Sequence, residues 1–272
     1  MAALHSAVPS IALAAPTTRR LTPRPNSPKY RVLTLKYGFT NTSTIRAGRE
    51  APPHRHSAHN LSRVAVLATV TDPATKLSFP DVVDGLTCLG AGVREKKVAF
   101  VGVKVYSVAL YVDEAAASVA LQGGSGLMDA RVEKMLSIKM ARKVDGPTFW
   151  EALNEAVLPR IAQIATNQAT AEDEEGNFMA DVAEAAEVKE EAAQDAAEEL
   201  GAFLQTATLE KGTEVTLRCS PDGELHVAVD GGDGKTFASA ELCEAIFDIY
   251  LGDDPISPTA YSAFMAAARS LT

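Results

Sequence analysis

The chain has 272 residues, 46% of them hydrophobic, and a formal charge of −9. That charge is unevenly spread: residues 1–70 hold ten Lys/Arg against a single acid, Glu50, for +9, whereas residues 71–272 hold 16 against 34, for −18. The acidic part has no basic stripe, which argues against nucleic acid as a partner, and no apolar run long enough for a transmembrane helix. Cys88, Cys219 and Cys243 stand alone, without CxxC or Cys/His spacing. They read as buried thiols in a reducing compartment, not as a zinc site or a disulfide framework.

The basic segment is rich in Ser, Thr, Pro and Arg and lacks sustained apolar periodicity. That is the composition of an organelle transit peptide, not of a packed domain. The apolar stretch Ile11–Ala15 is too short for a secretory signal and lacks its charged start. Ser62–Ala68 (SRVAVLA) resembles the loose signal at which plastid transit peptides are cleaved. Residues 1–68 are therefore expected to be a disordered plastid transit peptide. The alternative is a basic arm that touches nucleic acid or anionic lipid. Residues 69–272 suit one domain with a sizeable core.

Lys76–Asp84 reads as a short extended segment, with Pro80 at an edge or bend. Gly90 and Gly92 allow a bulge or a close backbone approach. The stretch Gly90–Asp113 is dense in valine and aromatics, with the charged cluster Arg94–Lys97 as its one break. Val98–Val112 is expected to form a long strand. Simple alternation puts Phe100, Lys104, Tyr106, Val108 and Leu110 on one face and Val101, Val103, Val105, Ser107 and Tyr111 on the other. Both faces are apolar, so the strand is central or lines a pocket. Asp113 caps a short Ala-rich helix stopped by Gly123–Gly124.

Val132–Arg142 alternates as a half-buried strand. Asp145–Gly–Pro opens a helix bearing Phe149, Leu153, Val157, Ile161 and Ile164, which Pro159 should kink or interrupt. Ala171–Gly176 is a polar break. Phe178–Leu204 forms an Ala/Glu-rich helix with a solvated acidic face. Glu214–Cys219 and Glu224–Val229 form a hairpin on the turn Ser220–Pro–Asp–Gly223. Ser239 caps a helix over 240–251, and Ser257–Pro258 starts the last one. There is no strict βα alternation.

Five segments in this order carry a family resemblance: GAGVR at Gly90–Arg94, VKVYSVALYVDE at Val103–Glu114, VEKMLSIKM at Val132–Met140, SPDGEL at Ser220–Leu225, and ELCEAIFDIYLGDDPISPTA at Glu241–Ala260. Together the chain resembles the chalcone isomerase fold family. The resemblance implies an α+β fold: an open, largely antiparallel sheet with a long central strand, a layer of helices, and a ligand cleft between them. A chalcone isomerase cyclises a chalcone to a flavanone with an arginine, a threonine, a tyrosine and an asparagine. Only the arginine matches, at Arg94. The threonine position is Tyr106, the tyrosine position is Phe149, and the asparagine position is Ala156, with Asn154 nearby but differently directed.

An arginine with a tyrosine twelve residues later is similar instead to the non-catalytic, plastid fatty-acid-binding branch. The resemblance then implies that Arg94 and Tyr106 bind the carboxylate of a free fatty acid, with no catalytic residue, metal or cofactor. The chemistry agrees: a guanidinium offers a planar pair of donors and keeps its charge when desolvated, and a phenol adds a third donor. Phe149, Trp150 and Leu153 are expected to line the acyl cleft. Read without the family, Tyr106 is a core tyrosine bonded to backbone, Arg94 a solvated turn residue, Lys104 a second anion contact or a snorkelling edge residue, and Phe149 and Trp150 plain core. The expectation is a monomeric, stromal fatty-acid binder without stable membrane insertion, its acidic surface keeping it off anionic membranes. The rivals are a chalcone isomerase and a ligand-free helper of a flavonoid enzyme.

Overall fold

A computed structural model of the chain describes residues 68–98, 100–170 and 180–272. Residues 1–67 of the expected transit peptide, the polar break at 171–176 and Phe178 all lie outside the described residues. Within them the strands are β1 (Thr69–Thr71), β2 (Ser78–Pro80), β3 (Val82–Val83), β4 (Leu86–Val98), β5 (Val101–Val112), β6 (Lys134–Met140), β7 (Val144–Asp145), β8 (Thr208–Leu209), β9 (Glu214–Cys219), β10 (Glu224–Val229) and β11 (Lys235–Ala238). The helices are α1 (Glu114–Gln122), α2 (Gly146–Ala169), α3 (Ala180–Gln205), α4 (Ala240–Leu251) and α5 (Pro258–Ala268).

Seven strands form one open antiparallel sheet in the order β11-β10-β9-β6-β5-β4-β3. Helices α2, α3, α4 and α5 cover one face. There Val108, Leu110, Leu136, Ile138 and Leu217 meet Leu153, Ile161, Leu200, Ile246 and Phe264, all buried. The fold is the expected α+β arrangement. The opposite face carries a smaller core of Phe79, Leu86, Cys88, Ala91, Ala109, Tyr111 and Met135, covered by the β1–β2 ribbon.

That second cover corrects two expectations. β6 is not half-buried: Met135 and Ser137 are as enclosed as Leu136 and Ile138, because the β1–β2 segment lies over them. Its anchor is Asp72, which is 1% exposed and accepts hydrogen bonds from the Ala74 and Thr75 amides and from the Thr75 and Ser107 hydroxyls. Lys104 neither meets an anion nor snorkels free: its Nζ donates to the Ala74 carbonyl at 2.8 Å, on the same strap. β1 and β11 were not legible as strands, being short and polar; they are ordered by pairing with β2 and β10.

The charged cluster Arg94–Lys97 is not the break in the long stretch. Those residues lie inside β4, and the chain reverses around Phe100 to return as β5. The register shifts so that Arg94 opposes Tyr106 while Glu95 opposes Lys104, leaving Val105 as an extra residue in β5. A bulge of this kind reverses the alternation beyond it. Tyr106 therefore joins the helix-covered core whereas Lys104 turns to the strap, although plain alternation put them on one face. Pro159 does not interrupt α2, which runs to Ala169. The proline is on the exposed side, where the Glu155 carbonyl it leaves without a donor is open to water.

Gly90 and Gly92 serve both purposes expected of them. The β4–β5 register also shifts between Cys88 and Gly90, and Gly90 has φ +151°. α5 crosses β4 so closely that a Cβ at Gly92 would lie 2.4 Å from the Ala260 amide nitrogen. Beside it, the Val93 carbonyl accepts from the Ser257 hydroxyl at 2.7 Å and the Thr259 hydroxyl at 2.9 Å, pinning the start of α5 to the sheet. Gly92→Ala should therefore displace α5 and lower stability by about 1–3 kcal/mol. A lower denaturant midpoint at unchanged slope would show this; an unchanged midpoint would contradict the close crossing.

Candidate functional site

The β4–β5 hairpin and the start of α2 enclose a cleft of about 270 Å³. Its apolar wall is Val103, Val105, Phe149, Ala152, Leu153 and Ile256; its polar groups are Arg94, Lys96, Arg142, Lys143, Asp145 and Thr148, with Tyr106 at the sheet. Phe149 stands on α2 because Asp145 caps that helix, its carboxylate accepting from the Thr148 amide at 2.8 Å. This fixes the first turn against β5, where the Phe149 and Tyr106 rings meet edge to face at 6.1 Å. Ile256 arrives from the α4–α5 loop. Arg160 of α2 holds that loop, bonding the Asp248 carboxylate at 2.8 Å and the Asp254 carbonyl at 2.7 Å.

Of the residues singled out from the sequence, Arg94, Tyr106, Phe149 and Leu153 converge on this cleft. Trp150 does not. Its indole packs over Gly201 of α3, where an added Cβ would lie 2.4 Å from the ring. One residue along a helix is a turn of about 100°, so Phe149 and Trp150 cannot share a narrow wall. Arg94 is not a turn residue: it is half-buried, within β4 and directly opposite Tyr106. Side chains opposite one another across a strand pair project on the same side. One Arg94 nitrogen donates to the Glu95 carbonyl at 2.9 Å.

The Tyr106 hydroxyl does not bond backbone. It meets the Tyr250 hydroxyl, at the end of α4, at 2.8 Å. Tyr250 was not singled out from the sequence; its one local mark is that the residues around it on the buried side of α4 are apolar, so that its hydroxyl needs a partner. Burial pushes both phenols above their ordinary range, and the Arg94 charge offsets only part of this. Both hydroxyls are thus neutral donors at any physiological pH. The Asp145 carboxyl is held below its usual range, first by the Thr148 amide. The cleft accordingly presents a guanidinium, a phenol with a second phenol behind it, and an apolar wall. Lys96, Arg142 and Lys143 stand exposed at its rim, Lys143 paired with Glu210.

A family model for chalcone isomerase-like proteins matches residues 84–265. The chain belongs to the chalcone isomerase-like family. Among solved structures it is similar to the crystal structure of the Arabidopsis thaliana fatty-acid binding protein AtFAP1, with a TM-score of 0.59 at 19% identity, over 75% of this chain and 98% of that one. The shared feature is the fold. No curated protein matches the chain. The matched span contains the whole Arg94–Tyr106–Tyr250 array, and it covers every residue of the cleft wall.

The raised phenol values make stability pH-dependent in a definite direction. A phenol whose native pKa exceeds its unfolded value of about 10 contributes fully below that pH. Its contribution is lost as the pH rises through 10, where the unfolded chain ionises and the native one does not. The melting temperature should be flat on this account from pH 7 to 9 and fall above 10. Tyr250→Phe should shallow that fall, because one of the two buried hydroxyls is then gone.

Proposed function

We propose that this protein binds free fatty acids without transforming them, Arg94 and Tyr106 holding the carboxylate and the acyl chain lying along Val103, Val105, Phe149, Leu153 and Ile256. The observation that carries the reading is the pairing of Arg94 with Tyr106 across β4 and β5 at the edge of an apolar cleft. A guanidinium and a neutral phenol together offer three donors to a two-oxygen anion, and charge-assisted bonds are about twice as strong as neutral ones. Tyr250 adds a relay. When it donates to the Tyr106 oxygen, the Tyr106 proton is directed to the ligand, and each bond polarises the next. Burying the chain contributes about 0.8 kcal/mol per methylene.

The similarity in fold to a fatty-acid binding protein supports the same reading. So does Phe149, which supplies an apolar ring where the isomerases of the family carry a tyrosine hydroxyl. The acid-poor, hydroxyl-rich composition of residues 1–68 supports import into the plastid stroma; action there as a monomer on the free acid is part of the proposal.

Native mass spectrometry of the protein purified without added lipid tests the binding directly. Acyl ligands should be retained by the wild type and added fatty acids taken up. Arg94→Ala should weaken binding by about 10- to 100-fold, the equivalent of one or two charge-assisted bonds. Protein that stays empty with fatty acid in excess would sink the reading. Turnover of a chalcone, followed by absorbance, would replace it with the isomerase.

A further inference from the structure

The β4–β5 hairpin extends beyond the sheet that anchors it. β6 pairs with β5 only from Tyr106 to Val112, and β3 pairs with β4 only at Leu86 and Thr87. From Glu95 to Lys104 the two strands therefore pair only with each other, as a projecting ribbon. Its end carries Phe100, fully exposed at 102%, and Val101, exposed at 66%. Scattered exposed apolar residues are ordinary. An aromatic with nothing against it, next to an exposed valine on a projecting ribbon, concentrates apolar area where only an external surface can cover it.

Charge identifies that surface. Residues 71–272 carry −18, yet Lys96 and Lys97 lie exposed on the ribbon just behind the tip, outnumbering Glu95 beside them, with Arg142 at its base next to Lys143, which is paired with Glu210. Lys104, on the opposite strand, is taken up by the Ala74 carbonyl. An apolar tip ahead of a cluster of cations is the distribution that enters the headgroup layer of an anionic bilayer: the ring reaches the acyl boundary and the lysines meet the phosphates. A protein partner recognised by charge alone would not need the phenyl ring.

We propose that the tip of this hairpin is a docking surface for anionic lipid membranes, Phe100 and Val101 entering the interface and Lys96 and Lys97 meeting its charge. Lys96 and Val103 of the same ribbon line the cleft, so docking sets the cleft mouth against the bilayer. The docking stands independently of what the cleft holds.

Residues 1–70 carry +9 of their own, so sedimentation with vesicles does not isolate the hairpin. A reporter at the tip does. Phe100→Trp is compared with the unmodified full-length chain, whose sole tryptophan is Trp150, in vesicles of phosphatidylglycerol with bromine-labelled acyl chains. Quenching and a blue shift should appear in the variant beyond those of the parent, and fade in phosphatidylcholine. In the same reporter chain, Lys97→Gln should weaken the response about fivefold. No excess quenching with anionic vesicles overturns the proposal. A blue shift without vesicles that grows with protein concentration also overturns it, because a second copy then covers the tip. Fatty-acid uptake by Phe100→Asp, read by native mass spectrometry, keeps the two claims apart. Intact uptake with lost docking in that variant is the expected result, uptake and docking lost together in a folded variant would overturn their independence, and absent uptake by the well-folded wild type overturns only the ligand reading.

Discussion

The candidate site depends on one extra residue. With Val105 bulged out of register, Arg94 faces Tyr106, and Tyr106 turns into the helix-covered side of the sheet. Were Val105 instead paired in regular register, Lys104 and Tyr106 would share one face, so that either Tyr106 would leave the helix-covered side or Lys104 would turn toward it. The irregularity is held from outside: the Val105 carbonyl accepts from the Ala141 amide at 3.0 Å, just past the end of β6. The strand that supports the sheet thus also fixes the residue that breaks its alternation. Extra residues that redirect a side chain are a recurrent feature beside functional sites.

Around that pairing, polar contacts of high sequence separation set the walls. Ser257 and Thr259 grip the Val93 carbonyl one residue before Arg94, so the start of α5 and the guanidinium share one anchor. Arg160 ties α2 to the α4–α5 loop and hence Phe149 to Ile256 across the cleft. On the far face, Asp72 gathers four hydrogen bonds and holds its strap over Ser107. The two covers act on opposite faces of the same stretch of β5. That explains why residues 106–112 are buried throughout while the ribbon before them is bare.

Local chemistry in the sequence announced most of the elements. Caps at Asp113, Asp145, Ser239 and Ser257 and the turn at Ser220–Gly223 each act within a few residues, so their signals sit next to the structures they start. The Arg94–Tyr106 pair came from the family resemblance alone: the residues by themselves read as a turn arginine and a core tyrosine, because one long strand read there conceals the hairpin that sets them opposite one another. Tyr250 was not legible, being 144 residues from its partner with no local mark beyond its apolar neighbours on the buried side of α4. Trp150 was misplaced for a rotational reason, since an aromatic doublet on a helix must serve two neighbours. The faces of β5 were misread because a bulge has no signature when the inserted residue is one valine among many.

The electrostatics of the cleft favour holding an anion over exchanging protons with it. A general base works best with a pKa near the operating pH. Tyr106 and Tyr250 are shifted upward by burial, away from neutrality. Asp145 is shifted the other way, its charge committed to the first turn of α2. The oxygen acids of the site thus sit on either side of the range in which a group both takes and returns a proton. What faces the cleft at neutral pH is a fixed arrangement of donors, complementary to a ligand that brings its own negative charge. On the proposed reading the apolar wall adds affinity in proportion to chain length, and recognition divides in two: the hairpin register serves the carboxylate, and the packing of α2 against it serves the acyl chain.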